Sequence, residues 1–295
     1  MLSSAPRLLA ACLFAVSLGA PSLACADEPE KLVWRDDWAR FRPAEYVAVP
    51  VLGVGMLATG LAAPGTTDPA WTGRNDLDDA GRRALRIASP TGRAWARGVS
   101  DVLYIGLTIY PAAIESLLLA RLVHKSPDVA WQLFMMYGET ALSSGVLTIG
   151  AQGLGSRRRP LADECDKDPG YDPMCGTKQL SRSFFAGHVS MAFVGASLTC
   201  VNQAHLPLYG DGLGGPIACA ATMAGAATTA VLRVAADKHW STDVLVGAGV
   251  GLSAGLLIPL GLHYGFGSSS VAARTRVTAV PIGDQGALMM ATGLW

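Results

Sequence analysis

Arg233-Val234-Ala235-Ala236-Asp237-Lys238-His239-Trp240-Ser241-Thr242-Asp243 decides how this chain is read. It joins two long apolar runs, about 213–232 and 244–262. A bilayer penalises charge, so charged residues gathered at the mouth of two apolar runs mark a site. If a helix starts at His239, Asp243 lies one turn away on the same face. A carboxylate there holds one imidazole nitrogen and leaves the other free to attack. Arg233 adds a planar fork suited to phosphate oxygens.

Two more clusters stand upstream. Ser181-Arg182-Ser183-Phe184-Phe185-Ala186-Gly187-His188 precedes an apolar run, and Arg157-Arg158-Arg159-Pro160 follows one. Three basic clusters at the ends of apolar runs, with two histidines among them, can converge on one anion. This set, in this order, resembles the phosphatidic acid phosphatase type 2 (PAP2) family, which shares its site with vanadium haloperoxidases. The family's motifs are a Lys, six residues, then Arg-Pro; a Pro-Ser-Gly-His; and Ser-Arg, five residues, His, three residues, Asp. Here the third reads Leu232-Arg233, His239, Asp243. The second keeps Gly187-His188 but has Phe185-Ala186 for Pro-Ser, and the first keeps Arg159-Pro160 but has Gln152 where the Lys stands.

The resemblance covers roughly the second half of the chain and implies an all-α fold, a polytopic membrane bundle of about six transmembrane helices. It implies a metal-independent, cofactor-free phosphatase acting on a membrane lipid phosphate or diphosphate. His239 is then the nucleophile that forms a phosphohistidine, and Asp243 orients it. His188 is the acid for the leaving alkoxide and then the base for water. Arg159, Arg233 and the Gly187 N–H clamp the phosphate, with Arg182 and Gln152 as further phosphate-binding positions. Gln152 and Ala186 support an alternative, a catalytically silent phospholipid-binding membrane protein of the same fold. A vanadate-holding haloperoxidase is disfavoured by the membrane composition. The expected partners are the lipid phosphate and the bilayer; nothing in the sequence sets the oligomeric state.

Composition agrees with a membrane protein. Hydrophobic residues make up 51% and charged ones 16%, below the quarter usual in soluble domains, with mean hydropathy +0.33. Net charge is +0, which removes any case for nucleic acid binding. Arg7, an apolar run over 8–20 and Ala24-Cys25-Ala26 read as a secretory signal over 1–26, or an uncleaved anchor. A polar segment over 27–43 reads as surface, 44–265 as the membrane phosphatase domain, and 266–295 as a C-terminal tail.

Six apolar stretches fall at about 45–63, 100–120, 129–153, 189–202, 213–232 and 244–262. Residues 76–87 fit either an amphipathic interfacial helix or a solvated connector. Gly247, Gly251 and Gly255 recur every fourth residue, a spacing for close helix packing. Glu115 and Glu139 fall inside apolar stretches and read as buried structural contacts with an Arg or Tyr, rather than cavity groups. The expected location is the bacterial inner membrane. A cleaved signal followed by six spans places the site in the cytoplasm by parity. The resemblance, and Cys165 with Cys175 in one polar loop, point to the periplasm instead. Cys200 and Cys219 read as buried thiols.

Overall fold

The computed structural model describes residues 31–62, 65–265, 275–281 and 287–293; the expected leader over 1–26 lies outside the described residues. The helices are α1 (Pro43–Ala62), α2 (Asp76–Leu85), α3 (Pro90–Tyr110), α4 (Pro127–Gly155), the single-turn α5 (Ala162–Cys165), α6 (Gly187–His205), α7 (Gly214–Ala235) and α8 (Ser241–Pro259). π-helical turns extend α3 through Pro111–Val123 and α8 through Leu260–Tyr264. The body is all-α. Within the C-terminal tail, β1 (Thr275–Pro281) and β2 (Ala287–Gly293) form an antiparallel hairpin.

Helix starts follow local chemistry. Asn75 accepts from the Asp78 N–H at 2.9 Å to cap α2. Asp76, Asp78 and Asp79 occupy the first turn of α2 and Arg82 and Arg83 the last, as the helix dipole favours. Ser89 accepts from the Gly92 N–H at 3.2 Å to cap α3, and Pro90 sits in the first turn, where no N–H is needed.

Among the described residues, four helices are long and apolar enough to cross a membrane: Pro43–Ala62, Pro90–Val123, Gly214–Ala235 and Ser241–Tyr264. The other two expected stretches form α4 and α6, which are less apolar for a physical reason. α6 packs against α3, α4, α7 and α8, so its buried Ser190, Ser197, Thr199 and Asn202 meet protein, not lipid. α4 buries Gln132, Glu139, Thr140 and Ser144 in the same way.

The glycine stripe of α8 lies on the backbone of α6. A Cβ on Gly247 would stand 2.7 Å from the Ala186 carbonyl, and one on Gly251 would stand 2.2 Å from that of Ser190. A Cβ on Gly255 would come within 2.5 Å of the Ser197 Cβ. The stripe is close packing, as its spacing indicates.

Three expectations change. Residues 31–42 are not a surface segment: Leu32, Trp34, Trp38 and Phe41 are buried. Trp34 and Trp38 lie 5.3 and 5.0 Å from the Tyr264 ring, while Arg35 and Asp37 pair with each other in solvent. The charges dominate the composition of this segment, but its aromatic side is core. Cys200 and Cys219 are not thiols; they form a disulfide joining α6 to α7, with Cα atoms 4.6 Å apart. Helix α2 turns its polar side inward: Asp78 is buried while Leu77 and Leu85 are exposed. The two carboxylates of the apolar stretches make structural contacts. Glu115 accepts from Asn202 at 2.7 Å and Tyr209 at 2.8 Å, and Glu139 pairs with His263 at 3.1 Å.

The contact of α8 with α6 gives a stability test. Gly251→Ala should destabilise the purified protein by about 1–3 kcal/mol, the usual cost of overpacking. Gly249 has open space at its Cβ, so Gly249→Ala should be close to neutral. Thermal melts in detergent compare the two, and equal melting temperatures would contradict the packing account.

Candidate active site

All three basic clusters meet at one end of the bundle, where α4 and α7 finish and α6 and α8 begin. The link between α7 and α8 is tightly held. Asp237 takes a left-handed conformation (φ 60°), which Asp tolerates better than most residues. Its carboxylate accepts from Arg82 Nε at 2.7 Å and Nη2 at 2.8 Å, tying the link to α2. Trp240 donates its indole N–H to the Arg158 carbonyl at 2.8 Å. The Trp240 backbone N–H donates to Asp243 Oδ2 at 3.0 Å, closing the first turn of α8.

His239 is therefore placed between two helix ends. Its Nδ1 lies 2.8 Å from the Ser183 carbonyl. A carbonyl only accepts, so Nδ1 carries the proton and Nε2 keeps its lone pair. Arg159 Nη1 donates to that Nε2 at 3.0 Å. Asp243 stands 3.9 Å from Nδ1, beyond hydrogen-bond range, so the expected direct Asp–His pair is replaced by an indirect one. Ser183 Oγ donates to Asp243 Oδ2 at 2.5 Å, and the same serine's carbonyl holds the imidazole. Burial, then the charges of Arg159 and Arg233, hold the His239 pKa well below its ordinary value. The imidazole is neutral at physiological pH.

Arg159 is buried. Besides His239, it donates to the carbonyls of Gln179, Lys238 and Arg182 at 2.8, 2.6 and 2.8 Å. Burial and the neighbouring Arg233 push its pKa down to about 9, which still leaves it cationic at neutral pH.

Beside these groups is a cavity of about 400 Å³ whose lining includes Arg97, Asp101, Asp172, His188, Arg233 and Lys238. His188 Nε2 lies 3.2 Å from Asp101 Oδ1, and its ring lies 4.4 Å from Tyr104. Arg233 Nη1 lies 2.8 Å from the same Asp101 oxygen. Lys238 donates to both oxygens of Asp172, at 2.7 and 2.8 Å.

The remaining sequence-selected residues sit differently. Gly187 opens α6 against α4, where a Cβ would stand 2.7 Å from Thr148 Cγ2. Arg182 offers its carbonyl to Arg159 and rests its side chain near Gly65. Gln152 donates to the Phe185 carbonyl at 3.0 Å and is not among the cavity's lining residues. Helix α4 stops at Gly155 and Ser156 turns left-handed (φ 41°), so the seven-residue spacing from Gln152 to Arg159 is not two helical turns. Arg157 is buried between Asp78 and Asp243, at 2.5 Å from each.

Sequence reasoning missed Asp101, Asp172, Lys238 and the Ser183 relay. Two local signals existed: Asp101 is a lone charge at the head of an apolar stretch, and Lys238 adjoins His239. Asp172 and Ser183 become visible only with the loops folded. A separate buried cluster, Glu45, Glu139 and His263, has ligand-type atoms within 4.8 Å of one another. His263 is twenty residues beyond Asp243 on α8, about 30 Å along the helix, so this cluster is not part of the His239 site.

The buried neutral imidazole has a pH consequence. In the unfolded chain His239 titrates near 6.5, whereas the folded pKa is lower. Above that pH neither state is protonated, so stability is unaffected. Below it only the unfolded state gains the proton, and His239 should subtract up to about 1.4 kcal/mol per pH unit. Denaturation of the wild type and His239→Gln between pH 7 and 5 should therefore show a shallower acid slope in the variant. Parallel slopes would mean that the folded imidazole protonates freely.

Residues 130–265 match the family model described as the PAP2 superfamily. Comparison with curated proteins and with solved structures returned no match. The matched segment includes α6, α7, α8 and nearly all of α4, with Arg159, His188, Arg233, His239 and Asp243 among its residues. Over residues 130–265 the chain is similar to the PAP2 superfamily, whose general chemistry is the hydrolysis of phosphate esters.

Proposed function

We propose that this protein hydrolyses a membrane lipid phosphate or diphosphate through a phosphohistidine on His239, without a metal ion. The observation that carries this reading is the state of the His239 imidazole. Its Nδ1 proton is committed to the Ser183 carbonyl, and its unprotonated Nε2 accepts a hydrogen bond from Arg159, a donor that an entering phosphate can draw to its own oxygens. In the reaction the Nε2 lone pair attacks phosphorus and the bond to the leaving oxygen breaks. Burial and the charges of Arg233 and Arg159 push the His188 pKa down to about 3, so it is neutral in the phosphate-free site; it takes a proton from the incoming phosphate monoanion and passes it to that oxygen. Water then attacks the phosphohistidine, His188 takes its proton, and the P–N bond electrons return to His239. Arg159, Arg233 and the Gly187 N–H stabilise the equatorial oxygens. Asp243 acts through Ser183 to hold the imidazole, and is a positioning residue.

The lipid part of the proposal rests on α3. One face of this helix gives Arg97 and Asp101 to the cavity. The adjacent face forms an apolar groove of about 570 Å³ that includes Ala94, Trp95, Gly98, Val99 and Val102. Trp95 and Val102 are exposed there, as suits a surface in contact with acyl or prenyl chains. For sidedness, the loop beside the cavity carries the Cys165–Cys175 disulfide, which supports an oxidising, periplasm-like compartment for the site.

Phosphate release from a panel of lipid phosphates by detergent-solubilised protein tests the activity. His239→Ala should abolish turnover while the protein stays folded, and acid-labile, base-stable phosphate should be trapped on the wild type. Full activity in the variant would remove His239 as nucleophile; a folded wild type inactive on the whole panel would favour a silent phospholipid-binding protein.

His188→Ala should cost most for substrates with alkoxide leaving groups and least for activated aryl phosphates, because an acid matters only when the departing oxygen is basic. An equal loss on both classes would leave His188 a phosphate-binding role alone.

A further inference from the structure

Relative to the family pattern, this site lacks one cation, because Gln152 stands at the lysine position and bonds the Phe185 carbonyl instead. The neighbouring arginines do not replace it. Arg157 is enclosed by Asp78 and Asp243, and Arg158 faces Asp163 and Asp166.

Lys238 is placed differently. Its side chain is almost fully withdrawn from solvent yet lines the cavity shared with His188 and Arg233. Its backbone is tied to both clamp arginines: its N–H donates to the Arg233 carbonyl at 3.0 Å, and its carbonyl accepts from Arg159 at 2.6 Å. Asp172 supplies its counter-charge, carried on the loop that the Cys165–Cys175 disulfide closes. Charged lining groups are Arg97, Arg233 and Lys238 against Asp101 and Asp172, three positive less two negative. The cavity is thus net positive by one, before Arg159 behind it is counted. A buried ammonium chelated by one carboxylate, facing a cavity with surplus positive charge, is ready to exchange that carboxylate for a phosphate oxygen.

We infer that Lys238 supplies the ammonium that position 152 lacks, binding a non-bridging phosphate oxygen in the His239 site, with Asp172 holding it until the anion arrives. This rests on the phosphatase reading above. It makes Lys238 a substrate-contacting residue and Asp172 its internal competitor.

Binding of inorganic phosphate to the purified full chain in detergent, measured by calorimetry at pH 7, tests the assignment without any turnover. Lys238→Met should weaken phosphate binding roughly 10- to 100-fold, the effect of losing one hydrogen bond to a charged group. The double variant Lys238→Met/Asp172→Asn should weaken it similarly. It removes the pair together, leaves no lone buried charge, and carries the test if the single variant misfolds. Asp172→Asn alone should bind phosphate at least as tightly as the wild type. A double variant that binds like the wild type overturns the proposal, as does an Asp172→Asn protein weakened as much as Lys238→Met, since that is how a merely structural pair behaves. If the wild type also hydrolyses lipid phosphate, only the Lys238 assignment falls. If the wild type neither binds inorganic phosphate nor releases it from lipids, the phosphatase reading falls with it.

Discussion

The candidate active end of this protein depends on one buried arginine. Arg157 stands between Asp78 of α2 and Asp243 of α8, and its guanidinium lies 4.3 Å from the centre of the Trp71 ring. Each carboxylate then carries a second load. Asp78 accepts from the Thr242 N–H and hydroxyl at 2.9 and 2.7 Å, which caps α8 from outside. Asp243 accepts from Ser183 and Trp240, which sets the loop before α6 and the link before α8. Removing one member of a buried ion set leaves an uncompensated charge, costly in a low dielectric. Arg157 thus converts the arrival of the chain from α4 into a fixed geometry for His239, although it never touches the imidazole. The short helix α2 belongs to this network. A Cβ on Gly81 would collide with Ser241, so α2 lies directly on the start of α8.

The rest of the bundle holds that end in place. Helix α6 is surrounded by protein and has small or polar residues where a lipid-facing helix would carry large apolar ones. Its backbone is approached by α8 through the glycine stripe and by α3 at Gly195, where a Cβ would stand 1.9 Å from the Leu107 carbonyl. Such approach fixes axial register as well as distance, because a helix shifted by one residue presents a side chain where a glycine is needed. His188 at the start of α6 and His239 just before α8 inherit that register. Beyond the far ends of α6 and α8, Trp34 and Trp38 pack on Tyr264 and His205.

The sequence shows the fold and the site to different depths. Helix positions are legible because apolar runs of sufficient length have few alternatives in a bilayer. The burial of α6 is not, since a helix enclosed by others need not be apolar, and its polarity makes it look short. The segment around Trp34 and Trp38 misleads for the converse reason: dense charge hides aromatic residues that face inward. Arg233, His188 and His239 can be picked out because charge at the ends of apolar runs has few other uses. Their partners cannot, because Asp101, Asp172 and Ser183 reach the site across 56 to 132 residues of chain. The Gln152 register fails on geometry alone. Spacing arguments assume one unbroken helix, and α4 ends four residues before Arg159. The Asp243 pairing fails similarly: i to i+4 places two residues on one helical face only if both are helical, and His239 precedes α8.

On the proposed mechanism the site must reconcile two opposed requirements. Phosphate binding calls for clustered positive charge, while a nitrogen nucleophile must remain unprotonated. In this arrangement the same charges meet both. Arg159 and Arg233 lower the proton affinity of His239, which is buried and already poor at holding charge. Nδ1 keeps the ring proton, because the Ser183 carbonyl beside it can only accept a hydrogen bond, and Nε2 is left unprotonated. A phosphate entering the cavity brings the negative charge that offsets the arginines. On the proposed mechanism, the cation formed on His239 as it attacks is then stabilised only when substrate is present. Placing Asp243 at 3.9 Å rather than in direct contact fits this logic. A carboxylate hydrogen-bonded to the ring would favour imidazolium in the resting state, whereas one acting through Ser183 fixes orientation and leaves the charge balance to the substrate.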